Sequence, residues 1–262
     1  MTIIDFYHVD SFEIFEYLNI AKNLEDLGCE INLVLPDSNT GWFDKTVAEE
    51  IYDDLGIKYS HLPSANVDMV ITTQYHNVIN IPEYKNAISC RLVYGINSEK
   101  NFTYSYKSSI PFDIVVCPGE FSFNLLKRYT HPIIGGYPKY DPYFLGKYQR
   151  DKLLKYYVLQ DNGKKNILYL PTWASESSLG NCDQFLVKLS NYYNIIIKPH
   201  HVSLRKEKFR WQDLSRHNDL HIISNVSPPL PELLTLSDIV ISDALSGSFW
   251  ESILIGQKPT LG

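Results

Sequence analysis

The chain has no apolar run approaching the roughly 20 residues that span a bilayer, and its start, Met1-Thr2-Ile3-Ile4-Asp5, lacks the basic opening and apolar core of a secretory leader. The expectation is a cytoplasmic protein. Cysteine is sparse: Cys29, Cys90, Cys117 and Cys182 stand far apart, with neither the short paired spacing of a zinc site nor the density of a disulfide framework, so all four are expected to be reduced thiols. No His-Glu-x-x-His segment or paired-aspartate arrangement argues for a tightly held metal, and the working mechanism is metal-independent. Gly-x-Gly-x-x-Gly and Gly-Lys-Ser/Thr loops are missing too, which speaks against dinucleotide oxidoreductase and ATPase chemistry. Nor is there a basic surplus: 24 Lys and Arg against 30 Asp and Glu give a net charge of −6, the wrong sign for a nucleic-acid surface.

What is present is a globular composition. An apolar fraction of 44% with 21% charged residues over 262 positions suffices for two domains with cores of their own. The charge is uneven: residues 1–150 carry 12 basic and 19 acidic side chains, residues 151–262 carry 12 and 11, so the second half is the better anion binder. The run Arg205-Lys206-Glu207-Lys208-Phe209-Arg210 reads first as a solvated helix face. The wider basic stretch from Lys198 to Arg216 is also where a polyanionic acceptor or an acidic membrane surface could make peripheral contact.

Short β-rich runs alternate with amphipathic stretches throughout, the pattern of parallel strands joined by crossover helices. In the first half the spacing predicts strands over Thr2–Tyr7, Glu30–Leu35, Val67–Thr72, Ala87–Tyr94 and Phe112–Cys117, with helices over Phe12–Leu27, Trp42–Leu55 and Ser122–Tyr129. The turn-rich segment Gly135-Gly136-Tyr137-Pro138-Lys139-Tyr140-Asp141-Pro142 interrupts the pattern, and a polar helix over Gln149–Leu159 follows. Strands are then predicted at Asn166–Leu170, Asn194–Lys198, Leu220–Ile223 and Asp238–Ser242, and helices at Asp183–Tyr192, Leu230–Leu236 and Ser248–Ile255. This reads as two Rossmann-like domains facing across a cleft, 1–145 and 146–262. The last residues, Lys258-Pro259-Thr260-Leu261-Gly262, look like the start of a strand, so the C-terminal domain is expected to be incomplete.

Ligands of open parallel sheets bind beyond the carboxyl ends of the strands. In the second half these ends carry Pro171-Thr172-Trp173, Lys198-Pro199-His200-His201 and Asp243-Ala244-Leu245-Ser246-Gly247-Ser248. Ser246, Gly247 and Ser248 open an apolar helix, where backbone amides, hydroxyls and the helix dipole can cradle a phosphate. Glu251, one turn in, can accept from ribose hydroxyls; the plainer reading is a capping box on Ser246 or Ser248. His200 can donate to phosphate or shuttle a proton, with Lys198 and Thr172 as further phosphate contacts and Trp173 as a stacking surface or core. In the first half, His8 with Asp10 follows the first strand and is the candidate base for an acceptor hydroxyl, against the blander reading of a buried, satisfied histidine. Tyr94, Gly95 and Lys100 form a second cleft-facing group on the acceptor side.

Four ordered segments, Gly136-Tyr137-Pro138-Lys139-Tyr140-Asp141, Ile167-Leu168-Tyr169-Leu170-Pro171-Thr172-Trp173, Ile197-Lys198-Pro199-His200, and Leu236-Ser237-Asp238 through Lys258-Pro259, resemble the CDP-glycerol glycerophosphotransferase family of teichoic-acid and capsule polymer synthesis, from about residue 90 onward. The resemblance implies a GT-B fold and a CDP-alcohol donor bound mainly by the C-terminal domain. It also implies attack of an acceptor hydroxyl, on a polymer or lipid-linked acceptor, at the donor's β-phosphorus with release of CMP, and no tightly bound cofactor. His200 matches the family histidine, Asp243 and Ser246 its donor loop, and Glu251 follows by analogy with the wider GT-B group. Where the best-known members carry a His-Gly pair, this chain reads Tyr94-Gly95. Its last motif is shared with GT-B glycosyltransferases and UDP-sugar 2-epimerases, which stay open as alternatives, as does a catalytically silent nucleotide-binding protein.

Overall fold

The computed structural model describes residues 1–39, 43–73, 77–96, 106–159, 162–225, 229–255 and 259–262. The chain divides into two compact units, Met1–Asp141 and Pro142–Gly262.

In the first unit β1 (Ile3–Tyr7), α1 (Ile14–Asp26), β2 (Glu30–Val34), α2 (Lys45–Leu55), β3 (Met69–Thr72), β4 (Ile88–Leu92), α3 (Tyr106–Ser109), β5 (Ile114–Cys117), α4 (Glu120–Leu126) and β6 (Pro132–Ile134) follow in order. The six strands form one parallel sheet ordered β2-β1-β3-β4-β5-β6. Alternation along β1 sends Ile4 and Phe6 into the core and Asp5 to the other face. There the buried Asp5 carboxylate accepts from the Tyr84 hydroxyl at 2.9 Å and the Ser64 amide at 2.8 Å, so a charge on the buried face is matched by donors rather than left unsatisfied. Trp42, the expected start of the second helix, lies outside the described residues. The helix itself begins at Lys45 because Asp44 caps it, accepting from the Val47 amide at 3.2 Å. It ends on Gly56, whose φ of 64° is the left-handed conformation of a helix stop.

The sequence reading missed β6. Three residues are too few for a visible alternation, and its leading proline suits an edge strand, where the missing N–H costs no ladder bond. The segment after β6 belongs to the first unit. Its 3₁₀ turn Pro138–Tyr140 is fastened to α1 by a Lys139–Glu16 ion pair at 3.0 Å and by the Asn19 amide on the Pro138 carbonyl at 2.8 Å, with Tyr140 buried. The division between units therefore falls at Asp141, just ahead of the expected position between 145 and 146.

The second unit contains α5 (Asp141–Phe144, which starts on the last residue of the first unit), α6 (Arg150–Tyr156), β7 (Asn166–Leu170), α7 (Asp183–Leu189), β8 (Asn194–Ile197), α8 (His201–Lys206), β9 (Leu220–Ile222), α9 (Leu230–Leu236), β10 (Ile239–Ser242), α10 (Gly247–Ile255) and β11 (Thr260–Leu261). Its strands form a parallel sheet ordered β11-β10-β7-β8-β9. All five residues of β7 are buried, as a central strand covered on both faces requires. Ile167, Tyr169, Ile195, Ile197 and Leu220 pack with Leu179, Leu186 and Leu214 on one side of the sheet.

Arg150 ties α6 to the end of α9. One guanidinium nitrogen donates to the carbonyls of Thr235 at 3.2 Å and Leu236 at 2.6 Å, and the other to Asp238 at 3.1 Å. A cation here meets the negative end of the α9 dipole and its unpaired carbonyls. Arg150→Ala should lower the stability of the second unit by about 1–3 kcal/mol, read as a lower urea midpoint. Arg150→Lys should recover only part of the loss, since an ammonium cannot reproduce the fork.

Candidate functional site

In the second sheet the chain runs from β7 to β8 and β9 on one side and returns to β10 and β11 on the other, so the topology switches between β7 and β10. In open parallel sheets such a switch point, at the carboxyl ends of the strands, is where ligands bind. Asp243, the first residue beyond β10, ties the β7 loop across this point. Its carboxylate accepts the Thr172 amide at 2.7 Å, the Ser178 amide at 3.2 Å and the Ser178 hydroxyl. Asp243 and the buried Thr172 are thus engaged with each other, and Asp243 acts on the loop's shape.

Between them the chain is strained. Ala174 has φ 58°, a left-handed conformation that costs a non-glycine residue about 1–2 kcal/mol, and such strain gathers at functional loops. The Ala174 amide donates to Glu207 at 3.4 Å; Glu207 also accepts from Ser203 at 2.6 Å and pairs with Arg210 at 3.5 Å. The 205–210 run is therefore more than a solvated face: α8 ends at Lys206, and Glu207 and Arg210 turn inward to brace the β7 loop, while Lys206 and Lys208 stay exposed.

His200 caps α8. Its Nδ1 accepts the Val202 amide at 3.2 Å, which leaves the proton on Nε2 as a donor. The ring stacks against Trp173 at 5.9 Å between centroids and against His201 at 4.1 Å, so one face of Trp173 is covered by histidine. Lys198, at the end of β8, places its ammonium on the Asn225 carbonyl. No carboxylate pairs with it among the described residues. It keeps part of its surface exposed, yet is surrounded densely enough that desolvation pulls its pKa down to about 7.

At the start of α10, Ser246 is the cap: its hydroxyl accepts the Ser248 amide at 3.3 Å and meets the Ser248 hydroxyl at 2.7 Å, which in turn meets Ser242 at 3.1 Å. With the helix starting at Gly247, Glu251 lies past the third helical position, so the capping-box reading does not hold. Glu251 is instead a buried carboxylate, 8% exposed. The Gly247 amide has no acceptor among the described residues, and a side chain at this position would meet nothing within 4 Å. The missing side chain leaves an N–H open at the positive end of the helix.

The first unit corrects the expectation for His8. It is fully buried, with Nδ1 donating to the Val34 carbonyl at 3.1 Å and Nε2 accepting from the Tyr52 hydroxyl at 2.5 Å. Desolvation lowers its pKa to about 4, only partly offset by the backbone bonds to Val34 and Phe6. A neutral imidazole with both nitrogens engaged inside the core has no access to an acceptor hydroxyl. Asp10 stays half-buried, its Oδ1 accepting the Phe12 amide at 3.2 Å. Tyr94 and Gly95 follow β4; Tyr94 lines a slot of about 40 Å³ with Glu16, Ile20, Val116, Tyr137 and Pro138, and Gly95 has φ 80°. Lys100 lies outside the described residues.

Beside His8 stands a carboxyl that the sequence reading did not single out. Glu13 is 3% exposed; it accepts the Val9 amide at 2.6 Å, the Tyr17 hydroxyl at 3.3 Å and the Thr73 hydroxyl. Burial raises its pKa to about 8, opposed by the Thr73 and Val9 hydrogen bonds. The signal was there: Glu13, Tyr17 and Ala21 recur at the four-residue spacing of one buried helix face.

The two parallel-sheet units and the switch-point site define a GT-B-fold protein, and solved structures agree on the fold. The chain matches UDP-GlcNAc 2-epimerase from Neisseria meningitidis bound to UDP-GlcNAc (17% identity, TM-score 0.64, 99% of this chain and 81% of that one). It matches the wall teichoic acid polymerase TagF (15%, 0.66, 99% and 69%), and the UDP-GlcNAc 2-epimerase of Methanocaldococcus jannaschii (12%, 0.65, 100% and 89%). Among curated proteins no sequence matches. The model of the CDP-Glycerol:Poly(glycerophosphate) glycerophosphotransferase family matches residues 99–249, more than half of the chain, and the chain belongs to that family of transferases.

Two outcomes test the geometry. Folded Glu13 holds its proton more tightly than unfolded Glu13, so stability falls as pH rises from the ordinary value of 4.5 toward about 8 and levels off above it. The stability advantage of Glu13→Gln over wild type should grow across that window by on the order of a few kcal/mol, as urea unfolding at pH 5, 7 and 9 would show. His8 works in the opposite sense below pH 6.5, where only the unfolded state gains its proton, and is common to both proteins. Asp243→Asn turns an amide group toward backbone donors, so it should cost about 1–3 kcal/mol and loosen the Thr172–Ser178 loop, seen as faster amide exchange there.

Proposed function

We propose that the chain moves a glycerophosphate-type group from CDP-glycerol to a hydroxyl of a surface-polymer or lipid-linked acceptor. The observation that carries this reading is His200, held by the Val202 amide with its proton on Nε2, at the same sheet end as Lys198, which has no carboxylate partner among the described residues, and the Gly247 amide that opens α10. A ring N–H, a lysine and a helix-start amide at the carboxyl ends of one parallel sheet suit a diphosphate. The family match supplies the donor class, and no tightly bound cofactor enters the reading.

In the reaction the acceptor oxygen forms a bond to the donor's β-phosphorus. The bridging P–O bond breaks with its electrons on the departing CMP, and the acceptor's proton passes to a base. His200, Lys198 and the Ser246–Ser248 turn stabilise the charge that grows on the leaving phosphate, an effect that is strong for donors already oriented. Glu251 takes the ribose, and Trp173 holds the His200 ring in place. Pro142–Gly262 is the donor unit and Met1–Asp141 the acceptor unit, where Tyr94 and Gly95 sit beside the slot on α1. With His8 enclosed, Asp10 is the acceptor-side base. The protein works in the cytoplasm, and exposed Lys206, Lys208 and Phe209 offer a peripheral contact to an acidic membrane face.

His200→Ala should reduce CMP release from CDP-glycerol by about 10²–10³-fold while the thermal midpoint without ligand stays within a few degrees. CDP-glycerol and CMP should raise the wild-type midpoint, since they bind only the folded state. A shift with UDP-GlcNAc in place of cytidine nucleotides would reassign the chain to sugar-nucleotide chemistry. Cytidine binding without turnover on any acceptor would make it a silent binder.

A further inference from the structure

The second sheet carries another recess, at the opposite end of its strands. A cavity of about 280 Å³ opens among the turn that enters β7 and the amino-terminal ends of β8 and β9. That size is close to the lower bound of ordinary small-ligand pockets, about 300 Å³. The four residues of β8 separate it from His200 by about 13 Å at 3.3 Å per residue, so the two ends can be occupied independently.

Its lining is unusual in what it leaves uncommitted. Tyr193, Asn218, Asp219 and His221 all line this space, Tyr193 with part of its ring against the core, and none of the four side chains has a hydrogen-bond or ion-pair partner among the described residues. Beneath them the polar groups are fixed: the Asn194 amide donates to Asn166 at 2.9 Å and to Asn162 at 3.1 Å, and Lys164 to the Ser190 carbonyl at 3.1 Å. The recess thus has a rigid floor and a free set of donors and acceptors above it. Val158 and Leu220 supply apolar wall. Val158 is 82% exposed and sits at φ 55°, in the helix-stop position that normally takes glycine. A β-branched residue there is an outlier, kept at a cost that packing does not explain.

We propose that this recess is a binding site for a neutral, hydroxyl-rich ligand, a pyranose or an open-chain polyol, separate from the transfer centre. An amide, a carboxylate, an imidazole and a phenol offer the mixed donors and acceptors that vicinal hydroxyls satisfy, and the apolar wall fits the C–H face of such a molecule. The lining favours neither sign of charge: it holds one lysine, Lys164, and one carboxylate, Asp219, and burial lowers the His221 pKa, away from the charged ring. The site does not depend on the proposed donor chemistry.

Saturation-transfer NMR on the whole chain, with N-acetylglucosamine and ribitol as separate probes, tests it. Transfer to at least one probe is expected, unchanged by saturating CMP and retained in His200→Ala. Asn218→Ala combined with Asp219→Asn, both exposed positions that leave the fold intact, should weaken binding about tenfold or more. Val158→Gly should raise the unfolding midpoint and still weaken binding, which loss of structure cannot mimic. Absence of transfer to either probe, transfer that survives the double substitution, or displacement by CMP would overturn the proposal. Which probe responds distinguishes a ring sugar from a polyol.

Discussion

The carboxylate of Asp243 is the constraint on which the donor end of the second unit depends. A parallel sheet alone fixes only where its strands end; it leaves the loops beyond them free. By accepting from both Thr172 and Ser178, Asp243 draws the β7 loop into a closed arc between its own strand and the chain leading to α7. The arc makes Ala174 adopt its left-handed backbone, brings that residue's amide to Glu207, and lets Trp173 lie against the ring of His200. One carboxylate thus shapes the loop that carries the ring stacked on His200.

The first unit solves the same problem by enclosure. Between β1 and α1 the polar groups satisfy one another inside the core: His8 with Val34 and Tyr52, Glu13 with Val9, Tyr17 and Thr73. A network of this kind is worth having only when every member is satisfied, because a buried orphan costs far more than a solvated one. It makes the carboxyl edge of this sheet rigid, and it withdraws from chemistry the residues whose types most suggested it.

Strand identity was legible along most of the chain because fully covered strands announce themselves as uninterrupted apolar runs: Asn166–Leu170 and the helix Leu230–Leu236 are found at the predicted bounds. The strand foreseen in Lys258–Gly262 exists as Thr260–Leu261 beside β10. The edge strand β6 escaped, having neither length nor alternation, and α8 was foreseen only as a helix face over residues 205–210, since its six residues are too few for a periodic signal that marks its start at His201. For the site, the sequence marked which residues stand at strand ends but not which way they turn. His8 and His200 occupy equivalent positions in the pattern, each just past a strand. Only three-dimensional packing reveals that one is sealed beneath Tyr52 while the other spends its Nδ1 on a helix cap and holds its proton on Nε2.

The location of the Gly135–Asp141 segment has a bearing on how such proteins diversify. Its fastening to α1 through Lys139 and Asn19 lies wholly on one side of Asp141, and the grip of Arg150 on α9 lies wholly on the other. Genetic recombination between related genes with a crossover falling in the few codons between these positions would leave both fastenings whole. Each half could then be inherited from a different parent with its internal contacts intact, so that the half bearing Asp243 and His200 could be exchanged as a single module.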